Sequence, residues 1–199
     1  SKYKEEIEVL FDHKDFAIIN KRTGVAVQEW TSVPYKETLE YFTKEYIKKT
    51  NEQVFLVHRL YRDTSGCIII AKNEEAQQKF VKMLKISDIN KEYLTLVKGI
   101  LKKPKGAINI PLEGRKNDIV HAMTFYEVSK TFPKSGVSLV KAKIKTGRMH
   151  KIRKHFAKRG YPVVMDNMYG DFKFNKEFQK ATGLKRQFLH AAKIAFEYN

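Results

Sequence analysis

Cysteine is almost absent from this chain of 199 residues, because Cys67 is the only one. No internal disulfide can form, and no Cys/His cluster has the spacing of a zinc site. The sequence has no run of 18 or more apolar residues, which excludes a hydrophobic membrane-spanning helix, and no secretory signal near its start. We therefore expect an intracellular protein, cytoplasmic by default, although a removed organelle-targeting peptide would leave no trace.

Acidic residues are also scarce relative to basic ones. Asp and Glu together number 22 against 39 Lys and Arg, which gives a formal net charge of +17. A lysine-rich surface from a biased genome would explain part of this excess. An excess this large in so short a chain favours a polyanionic partner, and nucleic acid is the first candidate. A membrane surface is the weaker alternative, because no amphipathic basic helix with aromatic anchors supports it.

Internal repeats, low-complexity segments and linker-like breaks are absent too, and strand-like segments dominate what remains. We predict an α+β fold, with a mainly antiparallel mixed sheet and flanking helices. The predicted strands cover 7–11, 16–20, 54–57, 67–71, 91–97, 123–128, 137–144 and 188–196, and the predicted helices cover 38–50, 74–84 and 150–159.

The second predicted helix has the clearest start signal. Asn73 is a good N-cap residue, and two glutamates follow it in the first turn. Ala76, Phe80, Val81 and Leu84 recur at helical spacing, so we expect them to form the inward stripe.

The segment from His58 to Gly66 reads H-R-L-Y-R-D-T-S-G between two predicted strands. Such loops place polar side chains at a sheet edge, where sites are often built. Arg59 and Arg62 can bind phosphate. For 63–65, the Asp-Thr-Ser run, we favour a structural interpretation in which side chains close the turn.

Two further segments combine basic and aromatic residues. In Lys91 to Gly99, Tyr93 lies on a predicted strand, where a tyrosine is most often a packing residue; a phenol ring facing a bound base is the functional alternative. In Lys145 to His155 a glycine turn leads into a basic helix, whose N-terminal N–H groups suit an anion. The candidate phosphate contacts of this segment are Arg148, His150, Lys151 and Lys154.

Together with Gly160 to Gly170 and Leu189 to Ala191, these segments resemble the ordered motifs of the RluA-type RNA pseudouridine synthases. The likeness extends over about 8–196 and is closest to the RluC-like branch that modifies large-subunit ribosomal RNA. It implies a pseudouridine synthase catalytic fold, a single domain over 1–199, and RNA, expected to be ribosomal RNA, as partner. This branch often carries an S4-like domain, and none precedes Glu8, which suits a fragment.

The resemblance also implies roles for individual residues. The family isomerises uridine to pseudouridine without a cofactor or metal, after the target base has been flipped into the site. Arg59 would fill the space that the base leaves, and Tyr93 would stack on the uracil. Arg153 would pair with the catalytic carboxylate, and Leu189 would pack against the base.

One departure from the family pattern affects the chemistry. The catalytic Asp of the family falls at position 61, where this chain has Tyr61. A carboxylate is an anion at pH 7, whereas a phenol is mostly neutral and its ring is larger. Lys151 in place of a Gln and Met165 in place of a Gly are milder departures.

Three hypotheses follow from these observations. The first is a pseudouridine synthase domain, with the activity of this chain in doubt because of Tyr61. The second is a catalytically inactive RNA-binding or ribosome-assembly protein that keeps the fold. The third, a generic basic RNA- or DNA-binding module, does not account for five motifs in order.

Overall fold

The computed structural model describes residues 7–47, 53–114, 116–144 and 150–199. These residues fall into two compact units, one within the bounds Ser1–Ile89 together with Phe196–Asn199 and the other within Asn90–Ala195. The fold is α+β with a mixed, mostly antiparallel sheet, as the sequence predicts. In the part of the chain that the structure describes, no helix has the length and apolar character needed to cross a membrane.

The first unit is built on a hairpin and a buried strand. Strands β1 (Glu8–Asp12) and β2 (Phe16–Lys21) pair antiparallel, and β2 pairs in turn with β4 (Ser65–Ala71). The two-residue strand β3 (Phe55–Leu56) also pairs with β4. Strand β4 is rich in isoleucine and almost fully buried, as its apolar sequence predicts.

Two helices belong to this unit, α1 (Leu39–Ile47) and α2 (Glu74–Lys85). Asn73 caps α2 as predicted, because its Oδ1 accepts the Ala76 N–H at 2.8 Å. The predicted inward stripe of α2 needs a correction. Ala76 and Phe80 are buried, but the third buried residue is Met83, whereas Val81 and Leu84 are only half-buried. The buried residues of α2 therefore follow Ala76 at intervals of four and then three residues.

The second unit is a five-stranded antiparallel sheet in the order β11-β5-β10-β9-β6. Its strands are β5 (Asn90–Lys98), β6 (Lys105–Asn109), β9 (Met123–Phe132), β10 (Val137–Ile144) and β11 (Leu189–Ala195). A separate short pair consists of β7 (Leu112–Glu113) and β8 (Ile119–Val120). The sequence predicts the long strands but not β6, β7 or β8.

Alternation along β5 gives this sheet two different faces. On the first, the Tyr93 face, Tyr93 lies opposite Ala142 of β10 and Ala191 of β11. On the second, the Glu92 face, Glu92 lies opposite Lys143 and Lys193.

Each face is covered by a helix over part of its area. Helix α3 (Lys151–Lys158) packs on the Tyr93 face, where the Phe156 ring meets Tyr126 at 6.0 Å between centroids. Helix α4 (Phe172–Thr182), which the sequence does not predict, places Phe174 and Phe178 against the Leu96 end of the Glu92 face. At the other end of the Glu92 face, Phe125 stays 48% exposed.

Candidate active site

The loop between β3 and β4 holds the first set of predicted site residues. Arg59 and Arg62 are exposed, and Tyr61 is 40% exposed, whereas Leu60 between them is buried. The Thr64 N–H donates to the Tyr61 carbonyl at 3.0 Å, which closes the turn. At the start of the loop, His58 Nε2 accepts the Ile69 N–H at 2.9 Å, so this imidazole ties the loop to β4.

A lysine that the sequence analysis did not single out organises the same loop. Lys21 is fully buried, and its Nζ donates to the carbonyls of Arg22, Val25 and Arg62 at 2.8, 2.8 and 3.0 Å. An ammonium group has three donors, so these acceptors match its full capacity. The arrangement joins the turn after β2 to the backbone beside position 61.

Two more hydrogen bonds complete this connection. The Gly24 N–H donates to the Arg62 carbonyl at 2.7 Å, and Thr23 Oγ1 donates to the Asp63 carbonyl at 3.0 Å. Gly24 has φ +81°, a conformation that favours glycine. We call residues 21–25 the lysine turn. Lys21 is the last residue of the buried strand β2, and no sequence pattern distinguishes it from an exposed lysine at a strand end.

Tyr93 and Leu189 come together on one face of the second unit. Leu189 lies opposite Thr95 on the neighbouring strand, so Tyr93 and Leu189 are diagonal neighbours on the Tyr93 face. Both side chains are buried, at 9% and 5% exposure. Lys91 points to the same face two residues earlier, and burial lowers the pKa of its ammonium group.

Arg153 forms a buried ion pair with Asp166. Its Nε and Nη2 donate to the two carboxylate oxygens at 2.6 and 2.8 Å, a bidentate geometry, and Asp166 has no exposed surface. The Asp166 Oδ1 also accepts the N–H groups of Met168 and Tyr169 at 2.9 Å each. Burial alone would raise the pKa of Asp166, but the bonds from Arg153 and the two amides outweigh it, so the pKa lies below its usual value.

The sequence predicts Arg153 as the partner of the family's catalytic carboxylate, and this stays a prediction, because position 61 belongs to the first unit. Within its own unit the carboxylate that Arg153 meets is Asp166, for which the sequence predicts no separate role. The ion pair fixes the guanidinium plane before any substrate binds.

The loop that carries Asp166 is itself tightly held. The Val164 N–H donates to the Leu96 carbonyl at 2.8 Å, which ties the loop to β5. Asn175 of α4 bonds to the backbone on both sides of the carboxylate, at Met165 N and Asp166 O. A Cβ added at Gly170 would lie 2.2 Å from the Asp166 carbonyl oxygen, so only glycine fits. Met165, which stands where the family has glycine, has φ +64°.

Three basic side chains lie close to the Tyr169 side chain. The His150 Nδ1 lies 2.7 Å from the Tyr169 hydroxyl, and Arg153 and Lys154 lie 5.1 and 6.0 Å from the ring centroid. Burial, with the nearby charges of Arg153 and Lys154, lowers the pKa of His150 to about 4. At pH 7 this imidazole is therefore neutral, and it offers a hydrogen bond rather than a positive charge. Burial also raises the pKa of Tyr169.

The remaining predicted phosphate contacts differ in exposure. Lys154 is half-buried, whereas Lys151 is buried at 4% exposure. Arg148 lies outside the described residues. Contact of these side chains with RNA stays a prediction.

Within 7–47, 53–114, 116–144 and 150–199, no three His, Cys, Asp or Glu side chains cluster so that they could hold a metal ion.

Comparisons with known proteins agree with the ordered motifs. The RNA pseudouridylate synthase family profile matches residues 15–158. An uncharacterized RNA pseudouridine synthase of Aquifex aeolicus is 36% identical over 82% of this chain and 56% of its own length. The ribosomal large subunit pseudouridine synthase C of Haemophilus influenzae is 33% identical over 97% of this chain and 62% of its own length.

The fold is shared with solved structures as well. Human RNA Pseudouridylate Synthase Domain Containing 1 superposes with a TM-score of 0.79 over 96% of this chain and 78% of that one, at 23% identity. The chain spans about three fifths of the length of these bacterial relatives. Because the family profile covers most of the chain and a relative above 30% identity covers nearly all of it, the protein belongs to the RluA-type RNA pseudouridine synthase family.

Proposed function

We propose that this chain is the single catalytic domain of an RNA pseudouridine synthase that acts on structured RNA, with ribosomal RNA as its expected substrate. Family membership carries the proposal, and the RluC-like relatives act on the large ribosomal subunit according to their names. The net charge of +17 suits a phosphate-rich partner.

The reaction breaks the N1–C1′ glycosidic bond of uridine, turns the uracil, and joins C5 to C1′, while the C5 proton is lost to solvent and N1 takes up a proton from solvent. No atoms are gained or lost overall. On the Tyr93 face, the buried phenol ring and Leu189 are the apolar groups that we expect to pack against a flipped uracil. Arg153, oriented by Asp166, presents a fixed positive charge to the reacting sugar.

The role of position 61 decides between activity and binding alone. A carboxylate there would be the family's nucleophile or base, whereas Tyr61 supplies a phenol. The lysine turn holds the backbone at 62–63 by hydrogen bonds to carbonyl groups, none of which depends on the side chain at 61. We therefore expect Asp to be accepted at this position without loss of the fold.

Tritium release tests the proposal directly. The chain and its Tyr61→Asp variant are incubated with ribosomal RNA that carries C5-tritiated uridine, and a Tyr46→Asp variant controls for the same change at another exposed tyrosine. RNA binding of all three proteins is measured in parallel. We expect binding by all three, and release by Tyr61→Asp that exceeds release by the control.

Each outcome is informative. Release by the unchanged chain would mean that Tyr61 supports turnover. Release by Tyr61→Asp alone identifies a synthase that has lost its nucleophile. RNA binding with no release from any variant supports the inactive RNA-binding alternative. If none of the proteins binds RNA, the proposed function is wrong.

A further inference from the structure

The Phe125 end of the Glu92 face carries an exposed phenylalanine among lysines. Register places Phe125 of β9 opposite Lys143 of β10, Lys143 opposite Glu92 of β5, and Glu92 opposite Lys193 of β11. The four side chains form one row across four strands. Phe125 is 48% exposed, the Lys143 side chain is 67% exposed, and Lys193 is exposed. We call this row the Phe125 row.

A cleft of about 350 Å³ lies over this row. Asn90 and Ala195, which pair with each other at the ends of β5 and β11, extend its lining. A volume near 300 Å³ is the lower range for small-ligand sites, so the cleft can take one nucleotide-sized group rather than a globular surface.

The row lies on the opposite side of the sheet from the predicted catalytic residues. Glu92 and Tyr93 are adjacent in β5, so their side chains point to opposite faces. Lys91 and Ile144 complete the lining of the cleft, whereas Tyr93, Leu189 and Arg153 do not line it, so the cleft is distinct from the candidate active site.

Positive charge exceeds negative charge on this side of the sheet. Besides Lys143 and Lys193, two more lysines lie on this face, because Lys141 and Lys105 both pair with Glu127. The acidic residues opposite these four lysines are Glu92 and Glu127. The ion pairs on this face, Lys143–Glu92 and Lys105–Glu127, are long, at 3.9 and 3.8 Å, and both lysine side chains are exposed, although Glu92 is half-buried. Such pairs are weak, so the lysines remain open to another anion.

An exposed ring among lysines on an open sheet face suits single-stranded RNA. Bases stack on aromatic rings of sheet surfaces, and lysines contact the adjoining phosphates. A protein partner would need a broad apolar centre, whereas Phe125 is the sole large hydrophobic residue of this row. We propose that the Phe125 row is a second RNA-binding site, which takes a single-stranded segment outside the segment that enters the active site. This inference rests on the proposed function, because it needs an RNA substrate.

The test uses a fluorescein-labelled 12-nucleotide oligouridylate and the full chain, with binding followed by fluorescence anisotropy over a range of salt. The variants are Phe125→Leu, which keeps apolar volume but removes the ring, and the double change Lys143→Gln with Lys193→Gln. Phe172→Leu and the double change Lys176→Gln with Lys180→Gln serve as matched controls, because these side chains are exposed on α4.

We expect Phe125→Leu to weaken binding by about 5- to 150-fold, the range for loss of one stacked base. The lysine double variant is expected to reduce the slope of log K against log salt by about 1.4, since each phosphate contact to a single strand contributes about 0.7. The control variants should bind like the unchanged chain.

Photo-crosslinking supplies a second measurement that does not depend on the variants. An oligouridylate with 4-thiouridine should crosslink within 123–132, the peptide of β9. If the unchanged chain binds RNA but the Phe125 and lysine variants match their controls, and no crosslink falls in this peptide, the inference is wrong and the proposed function stands. If the unchanged chain binds neither the oligouridylate nor ribosomal RNA, the proposed function itself fails.

Discussion

Asp166 determines the position of Arg153 and of the loop that follows it. The carboxylate receives the guanidinium and two backbone N–H groups, all in a site with no exposure to solvent. Removing one partner of a buried pair leaves an uncompensated charge, which is far more costly than loss of a surface pair.

We therefore expect Asp166→Asn to lower the free energy of unfolding by about 3–5 kcal/mol. Asp171→Asn is the control, since Asp171 forms an ion pair with Lys98 and caps α4, but its side chain is one third exposed. Asn also caps helices, so this control should cost about 0–1 kcal/mol. Urea unfolding measures both, and equal losses would contradict the buried role of Asp166.

His150 makes stability depend on pH in a defined window. Its pKa falls to about 4 in the folded protein, against an ordinary value of 6.5. Between these values the unfolded chain binds more protons, so stability is complete above pH 6.5 and declines as the pH falls toward 4. His150→Gln should remove about 1–2 kcal/mol of this decline, after allowance for solvent around the half-buried ring. Urea unfolding at pH 7 and pH 4.5 measures it; an unchanged decline would contradict the prediction.

At the same scale, the sequence predicts some site residues and misses others for a physical reason. Tyr93 and Leu189 each lie on a predicted strand, and the family resemblance implies that both contact the base; the strand register then places them on one face. The partner of Arg153 is Asp166, thirteen residues later in a loop. The position of that loop depends on its hydrogen bonds to other elements, which no local sequence pattern shows. Lys21 was missed because a buried lysine is exceptional and only its three carbonyl partners explain it.

At the scale of elements, the lysine turn and the loop after β3 form one hydrogen-bonded unit. Lys21→Met removes the ammonium group but keeps most of the side-chain volume, so three carbonyls lose a donor. We expect the free energy of unfolding to fall by about 1–3 kcal/mol. Amide exchange at Gly24 and Thr64, whose N–H groups bond to Arg62 and Tyr61, should accelerate about tenfold or more.

Lys14→Met is the matched control for this change, because Lys14 is exposed in the turn between β1 and β2. Exchange measured by mass spectrometry on peptides that cover 22–25 and 60–66 should be unchanged in the control. If Lys21→Met leaves the loop peptide 60–66 as protected as before, the lysine turn does not hold the loop.

The elements that the sequence does not predict share weak local signals. Helix α4 buries only Asn175 fully, so its apolar stripe is faint, and its start depends on Asp171 as N-cap. Strands β7 and β8 contain two residues each, which is too few for an alternating pattern of polar and apolar residues to be recognised. By contrast β4 and β5 are long and apolar enough for their sequences alone to predict them.

For the whole molecule, the path of the chain makes the folding of the first unit depend on residues that follow the second unit in sequence. Phe196 and Tyr198 follow the second unit in sequence but belong to the first. There they pack against Phe80 at 5.2 Å each, and the Tyr198 hydroxyl donates to Asp15 at 3.1 Å. The first unit is therefore complete only when residues from both ends of the chain meet.

From this connectivity we predict one cooperative unfolding transition for the whole chain. Trp30 is the only tryptophan of the chain and lies in the first unit, so its fluorescence reports that unit, while far-UV circular dichroism reports all helices and strands. In urea the two signals should change at one midpoint, and Tyr198→Ala should shift both curves to lower urea together. Two separate steps in circular dichroism, with Trp30 following only one and Tyr198→Ala moving only that one, would show two independent domains.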